Sequence, residues 1–400
     1  MAGGFSSRLL QRRENPRRPS FLELFFDLAI IFALNRLSRA LLDDLSLNGG
    51  FRVLLLLAAI WWVWFVTAWS ADWFDPRAPL IVVLLLGVMF GGLMMAAAVP
   101  TAFGGQALVF AVAYVAIHLG RGALLIPALR GHPVQRRSVR VALWFAVSGV
   151  LWVLGAAVAP AREVLWALAL VMEYALAGLG WPTPRLGRSS WPDLQVNGEH
   201  LAERYQQIFI IALGELILMS GITYGNAGFH PDSTSAFAVA FVAAAALARI
   251  YLRPTGGRLG AAIEAAGPPG SRLALLAGYL HLVMIAGVLA TSIGIELMIA
   301  NPRSDDAAPR ALLVTGPALF LLGQLLLSAV VDGSLSRPRL IGLPIFVVGG
   351  FASAELPLLG TATLITGLLL LMIVTETRLD RRHRRRVADA GTAADRRRHG

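Results

Sequence analysis

The sequence predicts an all-α protein, a polytopic bundle of about twelve transmembrane helices. Hydrophobic residues make up 56% of the 400 residues and charged residues only 15%, whereas a soluble protein of this size carries about a quarter charged residues. The mean hydropathy is +0.66. Apolar runs of about 20 residues, enough for one helical span, recur along nearly the whole chain. The chain has no cysteine, which excludes disulfides and thiolate chemistry.

The apolar runs divide the chain into two halves of six helices each. The predicted spans are 21–42, 52–71, 80–99, 106–126, 139–159, 164–180, 201–221, 235–252, 273–299, 311–331, 339–354 and 356–375. The predicted segments are a basic N-terminal segment (1–20), the first half (21–180), a cytoplasmic link (181–200), the second half (201–375) and a basic tail (376–400). The composition of the tail predicts disorder, and the Gly- and Pro-rich stretch 253–272 predicts a flexible loop.

The basic residues predict the orientation of the spans. All 35 basic residues are arginines; 27 fall in segments on one side of the predicted membrane, four on the other side and four within spans. Cytoplasmic segments carry the excess of Arg in membrane proteins. We therefore expect both termini in the cytoplasm, and contact of the arginines with anionic lipids rather than nucleic acid.

The first and seventh predicted helices resemble each other. An alignment of residues 21–35 with 201–215 pairs Glu23 with Glu203, Asp27 with Gln207, and Asn35 with Glu215. Six spans return the chain to the side on which it began. The alignment therefore predicts a parallel internal repeat of six plus six helices, related by an axis along the membrane normal.

Several predicted spans contain ionisable residues. A charge in mid-bilayer costs about 2.5–3.5 kcal/mol, so such groups are expected to face a partner or a water-filled cavity. The candidates for catalysis or proton handling are Glu23, Asp27, Glu203, Glu215 and His281, and those for substrate binding are Trp61, Trp62, His118, Arg121 and Arg204. We expect the cytoplasmic-side carboxylates to converge with at least one His or Arg. Plain interhelical ion pairs, or side chains that reach the headgroups, are the alternative.

Carboxylates also follow the second helix and precede the seventh. The candidate metal ligands are Asp72, Asp75, Glu199 and His200. Two carboxylate pairs on one side of the membrane can hold magnesium and a diphosphate, an arrangement that resembles intramembrane prenyltransferases. A turn after the second helix and a cap on the seventh are the alternative. No other cofactor is indicated.

Four stretches carry a family resemblance: "FLELFFDLAIIFALNRLS", "WFDP", "HLAERYQQIFIIALGELIL" and "HLVMIAGVLATSIGIE". In order and spacing they resemble the bacterial low-temperature-requirement A (LtrA) family, over roughly residues 19–378. The resemblance implies a multi-pass protein of the bacterial inner membrane associated with growth at low temperature, and it implies no particular reaction. Ala248 and Arg249 stand where relatives tend to have tryptophans. The resemblance therefore does not imply that this chain shares a substrate preference with them.

Two functions fit these observations. A proton-coupled transporter of a small or amphipathic solute would use the intramembrane carboxylates and His281. An intramembrane enzyme that acts on a lipid or isoprenoid would use Asp27 or Glu203 as general acid and the tryptophans as a pocket. A non-catalytic membrane sensor or assembly factor is the third hypothesis. A pocket open sideways to lipid would favour the enzyme.

Overall fold

The computed structural model describes Leu9 and residues 19–191, 196–252, 254–267, 269–333, 335 and 337–399. These residues form thirteen α-helices and no β-strand. The helices are α1 (Phe21–Asp43), α2 (Leu47–Trp73), α3 (Pro79–Ala98), α4 (Ala107–Ala128), α5 (Val134–Ala157), α6 (Arg162–Gly178), α7 (Gly198–Ala227), α8 (Pro231–Tyr251), α9 (Pro254–Ala265), α10 (Gly270–Ala300), α11 (Ala307–Asp332), α12 (Arg337–Ala352) and α13 (Leu358–His399).

Nine of the helices in the described chain are long and apolar enough to cross a membrane. They are α2, α3, α4, α5, α7, α8, α10, α11 and the Leu358–Leu379 part of α13. A shorter apolar helix covers Pro338–Ala352, α6 has 17 residues, and α1 carries four charged side chains before Leu41. Each of the twelve predicted spans coincides with one of these helices. The prediction of an all-helical membrane bundle is confirmed.

Two segments differ from their sequence-based predictions. The stretch predicted as a flexible loop contains α9, because Leu259 and Ile263, one turn apart, bury their side chains and an Ala-rich run favours helix. In the basic segment predicted to be disordered, α13 stays helical to His399. Arg and Ala are strong helix formers, and the preceding span supplies the costly helix nucleus.

Polar side chains define where the key helices begin. Ser20 precedes α1 and accepts a hydrogen bond from the Glu23 amide, and Ser46 does the same for α2. Asn197 caps α7 through the His200 amide at 2.9 Å. Each side chain satisfies one of the backbone N–H groups that the first helical turn leaves free. The cap of α7 also fixes the position of His200.

Helices α1 and α7 lie side by side and point in the same direction. Hydrogen bonds link Glu23 to His200, Asp27 to Arg204, and Asn35 to Glu215, so the residue numbers rise together along both helices. Helix α10 is parallel to α7, because Tyr205 bonds to Ala274 near one end and Glu296 lies near Glu215 further along. Helix α2 runs the opposite way between them. These four helices position the buried polar groups.

Candidate functional site

A histidine flanked by two carboxylates joins α1, α2 and α7. His200 is fully buried; its Nε2 lies 3.0 Å from Glu23 Oε2 and its Nδ1 lies 3.0 Å from Asp72 Oδ1. The other oxygen of Asp72 accepts the Asn197 amide at 2.9 Å. Both ring nitrogens donate only in the protonated imidazolium, so this geometry fits a positively charged His200 between two acids. His200 can hold a proton or share it with Glu23 or Asp72.

One helical turn further along, Asp27 and Arg204 form a bidentate ion pair. Arg204 Nη1 and Nη2 donate to the two Asp27 oxygens at 2.7 and 2.8 Å. Trp64 of α2 adds a hydrogen bond from its Nε1 at 2.9 Å, and Arg204 Nη1 also contacts Gln207 Oε1 at 3.1 Å. Both ionic side chains are 1% exposed. The carboxylate is therefore held in its charged form by a fixed cation.

The predicted convergence holds for some of the candidates. Glu23, Asp27 and Arg204 come together, and Glu23 is close enough to influence Asp27 electrostatically. Glu203 does not join them: it is half-buried, lies about 100° around the helix from Arg204, and its carboxylate has no hydrogen bond to another described residue. His281 bonds to the Tyr251 hydroxyl at 3.0 Å and to the Ala277 carbonyl at 2.7 Å. It thus belongs to a separate α8–α10 contact.

A second polar cluster lies at the other end of the α1–α7 interface. Asn35 Nδ2 donates to Glu215 Oε1 at 3.1 Å, and Arg39 Nη1 pairs with Glu296 Oε1 at 3.2 Å. Met219 contacts both donor side chains through its sulfur. Glu215 faces the interior between α1 and α10, as the sequence predicted. Fifteen residues along α7 place it about 22 Å from His200 at 1.5 Å per residue.

Glu215 is held differently from Asp27. It is 2% exposed, its Oε1 has one neutral donor, and its Oε2 has no partner among the described residues. Glu296 Oε2 is also without a partner there, and the two carboxyl groups lie close enough to interact. No described arginine donates directly to Glu215. A proton on one of these neighbouring acids would relieve their mutual repulsion.

The four remaining substrate-binding candidates lie elsewhere. Trp61 and Trp62 are buried in the packed core, where Trp62 stacks on Tyr174 with 4.3 Å between ring centroids. His118 stacks on Phe145 at 3.8 Å. Arg121 Nη2 donates to Thr67 at 2.7 Å. His118 and Arg121 line a pocket between α2, α4 and α5 together with Trp69, Trp73, Trp181 and Trp191 rather than Trp61 or Trp62.

The candidate metal ligands do not form a metal centre in the part of the chain that is described. No group of three or more His, Asp or Glu side chains is arranged to hold an ion there. Asp72 and His200 bond to each other instead. Asp75 accepts the Arg77 amide at 2.9 Å and its own amide donates to the Leu9 carbonyl. Asp75 therefore shapes a turn, while Asn197 rather than Glu199 caps α7.

Sequence reasoning missed a buried carboxyl in the first half. Glu173 of α6 is 0% exposed and accepts hydrogen bonds from the Tyr114 hydroxyl and from Trp152 Nε1. An acid in the middle of a 17-residue apolar helix was the available signal, as it was for Glu215. Arg39 and Glu296 were also missed as a pair, because their separation of 257 residues leaves no pattern in the sequence.

Comparison with known proteins gives one family and one relative. The family described as "Bacterial low temperature requirement A protein (LtrA)" matches residues 18–374. A protein of Rhizobium meliloti (strain 1021), named "Uncharacterized protein RA0937", is 32% identical over 394 residues, which cover 97% of this chain and 96% of the relative. No solved structure matches the chain. The match extends from α1 into the last helix, so it includes both polar clusters.

Proposed function

The chain belongs to the bacterial low-temperature-requirement A family, and on this premise we propose that it is a proton-coupled transporter of a small or amphipathic solute. It is a multi-pass integral membrane protein. In the proposal, all twelve predicted spans cross the bacterial inner membrane, both termini are cytoplasmic, and the two halves form a parallel repeat. The 27-to-four distribution of arginines supports this orientation.

The observation that carries the proposal is the burial of the Glu215 carboxyl group with few hydrogen-bond partners. Its carboxyl group is buried just past the middle of a 30-residue helix, yet one oxygen has no described partner. A buried polar atom without a partner is costly. A carboxyl with one neutral donor can be protonated and deprotonated without the loss of an ion pair. Intramembrane acids with these properties mark proton pathways.

His200 supplies a second titratable group on the same interface. His200, between Glu23 and Asp72, lies at one end of the α1–α7 contact and Glu215 lies toward the other. The pair of Asp27 and Arg204 stands between them as a fixed charge pair. Two proton-binding groups at different depths of one interface support a coupled carrier, whose site opens to each side of the membrane in turn. We assign Asp27 and Arg204 a structural role and Glu215 the coupling role.

Proton movement through reconstituted protein tests the proposal. Proteoliposomes adsorbed on a solid-supported membrane receive a step from pH 8 to pH 6, and the charge displacement is recorded. We expect a transient current for the wild type and its loss for Glu215→Gln, which keeps the shape and hydrogen bonding but cannot titrate. Glu355→Gln, at an exposed position, is the matched control. A Glu215→Gln current equal to that of the wild type would contradict the coupling role.

The alternative of an intramembrane enzyme has one observation in its favour, an apolar groove between α3 and α4 that is open sideways and reaches Arg121, but the candidate general acids do not fit it. A general acid must hold a transferable proton within reach of a substrate. Asp27 instead accepts two hydrogen bonds from Arg204 and one from Trp64, and Glu203 does not line the pocket that contains Arg121. Lipid extracts of a deletion strain check this alternative: accumulation of one lipid precursor, reversed by the wild-type gene and by Glu215→Gln, would favour the enzyme.

A further inference from the structure

Arg121 is a buried cation without an acidic partner among the described residues. Its side chain lies in the first half of the bundle on α4 and is 6% exposed. Nη2 donates to Thr67 Oγ1 at 2.7 Å and Nη1 contacts His118 Nδ1 at 3.4 Å, while Nε has no partner among the described residues. A buried charge normally requires an opposite charge. The described chain offers none here, so an anion from outside the protein is expected.

A second arginine lines the same pocket. Arg137 of α5 places its guanidinium carbon 4.9 Å from the centre of the Trp73 ring, and no described carboxylate pairs with it. Trp73 Nε1 and His118 Nε2 are buried polar atoms of the same lining without a described partner. None of the described residues that line this pocket is acidic. Two cations and spare donors thus surround a space with aromatic walls.

An apolar groove leads away from Arg121 between α3 and α4. Arg121 lines both the pocket and the groove. The rest of the groove is apolar, with Val83, Phe90 and Leu108 exposed along it. From Arg121 to Leu108 the groove follows α4 for about 20 Å at 1.5 Å per residue. One leaflet of a bilayer has a hydrocarbon depth of about 15 Å, half of the core. The groove is therefore long enough for one acyl chain.

We propose that Arg121 and Arg137 bind the phosphate headgroup of an anionic phospholipid, with one acyl chain in the groove between α3 and α4. A phosphate can accept hydrogen bonds from both guanidinium groups. A soluble anion would leave the apolar groove unused. A zwitterionic headgroup would place its ammonium in a pocket without a described carboxylate. The inference does not depend on the proposed transport activity, because it concerns a resident lipid and none of the groups assigned to proton coupling.

Native mass spectrometry of the delipidated protein in detergent tests the site. The probes are phosphatidylglycerol, phosphatidylcholine of the same chain length and inorganic phosphate. We expect one phosphatidylglycerol to bind at least about tenfold more tightly than phosphatidylcholine. Arg121→Gln and Arg137→Gln should each weaken its binding about tenfold or more, the effect of one charged hydrogen bond. Arg136→Gln removes the same charge at the adjacent, exposed position and should bind like the wild type.

A groove variant separates a lipid from a soluble anion. A Cβ at Gly87 would meet nothing within 4 Å, so Gly87→Leu is accommodated by the backbone and fills part of the groove. It should weaken phosphatidylglycerol binding while both arginines stay in place. Circular dichroism and gel filtration confirm folding of each variant, and Arg137→Gln provides the result if Arg121→Gln does not fold. Equal binding of both lipids, or wild-type binding by Arg137→Gln and Gly87→Leu, would overturn the proposal. Tight binding of inorganic phosphate that Gly87→Leu leaves unchanged would overturn it in favour of a soluble anion.

Discussion

Asp27 and Arg204, 177 residues apart in the chain, form a buried ion pair with nitrogen–oxygen distances of 2.7 and 2.8 Å. The pair connects α1 to α7 and therefore the first half of the chain to the second. Trp64 extends the link to α2 through its hydrogen bond to the same carboxylate. The geometry is bidentate, the strongest form of an arginine–carboxylate contact.

Disruption of this pair should destabilise the bundle. Asp27→Asn or Arg204→Gln leaves one buried charge without its partner, and we expect each to lower the free energy of unfolding by about 3–5 kcal/mol. The double variant should lose less than the sum of the two, because it removes both charges. Unfolding in mixed detergent micelles measures the free energy of unfolding of the two single variants and the double variant. Additive losses would mean that the two side chains do not stabilise each other.

Removal of the imidazole of His200 should loosen the N-terminal end of α7. His200→Ala leaves Glu23 and Asp72 without the hydrogen bond that each makes with His200, and we expect a loss of about 2–5 kcal/mol in the free energy of unfolding. His230→Ala, at an exposed position, should change it by less than about 0.5 kcal/mol. Hydrogen exchange should rise at residues 198–204 of the His200 variant; unchanged exchange would argue against the linking role.

Asn35 should control the environment of Glu215. Asn35→Leu deletes the described donor to Glu215, and we expect destabilisation by about 1–3 kcal/mol. Asn35→Asp would place two carboxyl groups in contact, so its stability should fall further as the pH rises and both become charged. Thermal unfolding between pH 5 and 8 distinguishes the two. A pH-independent difference between the Asp and Leu variants would contradict this arrangement.

Close approach of α10 and α11 should require glycine at position 287. A Cβ there would lie 2.6 Å from the carbonyl oxygen of Gly316, which is backbone and cannot rotate away. We expect Gly287→Ala to lower the free energy of unfolding by about 1–3 kcal/mol, as overpacking does. Gly221→Ala, where a Cβ meets nothing within 4 Å, is the matched control and should be at least as stable as the wild type.

Orientation can be measured cleanly because the chain has no cysteine. We predict that a membrane-impermeant maleimide labels Leu47→Cys, at the exposed first residue of α2, in intact spheroplasts. Arg130→Cys, exposed after α4, should react only after lysis. The reverse pattern would place the termini outside and contradict the arginine distribution.

The positions of the helices follow from the sequence alone. A membrane helix satisfies its own backbone hydrogen bonds, so a run of about 20 apolar residues is a local signal. Every predicted span coincides with a helix for this reason. Helix α9 escaped prediction because its stability comes from two buried side chains packed against other helices, which its Gly-rich composition conceals.

Ionisable residues within apolar helices are visible in the sequence, and they indicate that Glu23, Asp27, Arg204 and Glu215 need partners. Which partners these side chains have follows from the packing of the folded bundle. Glu203 was predicted to join Glu23 and Asp27 together with at least one His or Arg, but about 100° of helix rotation separates it from Arg204, which does join them. The rotation of each helix and the choice of its neighbours depend on packing across the whole bundle, here between residues 128 to 257 positions apart. No local pattern encodes such contacts, so His200 between Glu23 and Asp72, and Arg39 beside Glu296, became visible only in the assembled fold.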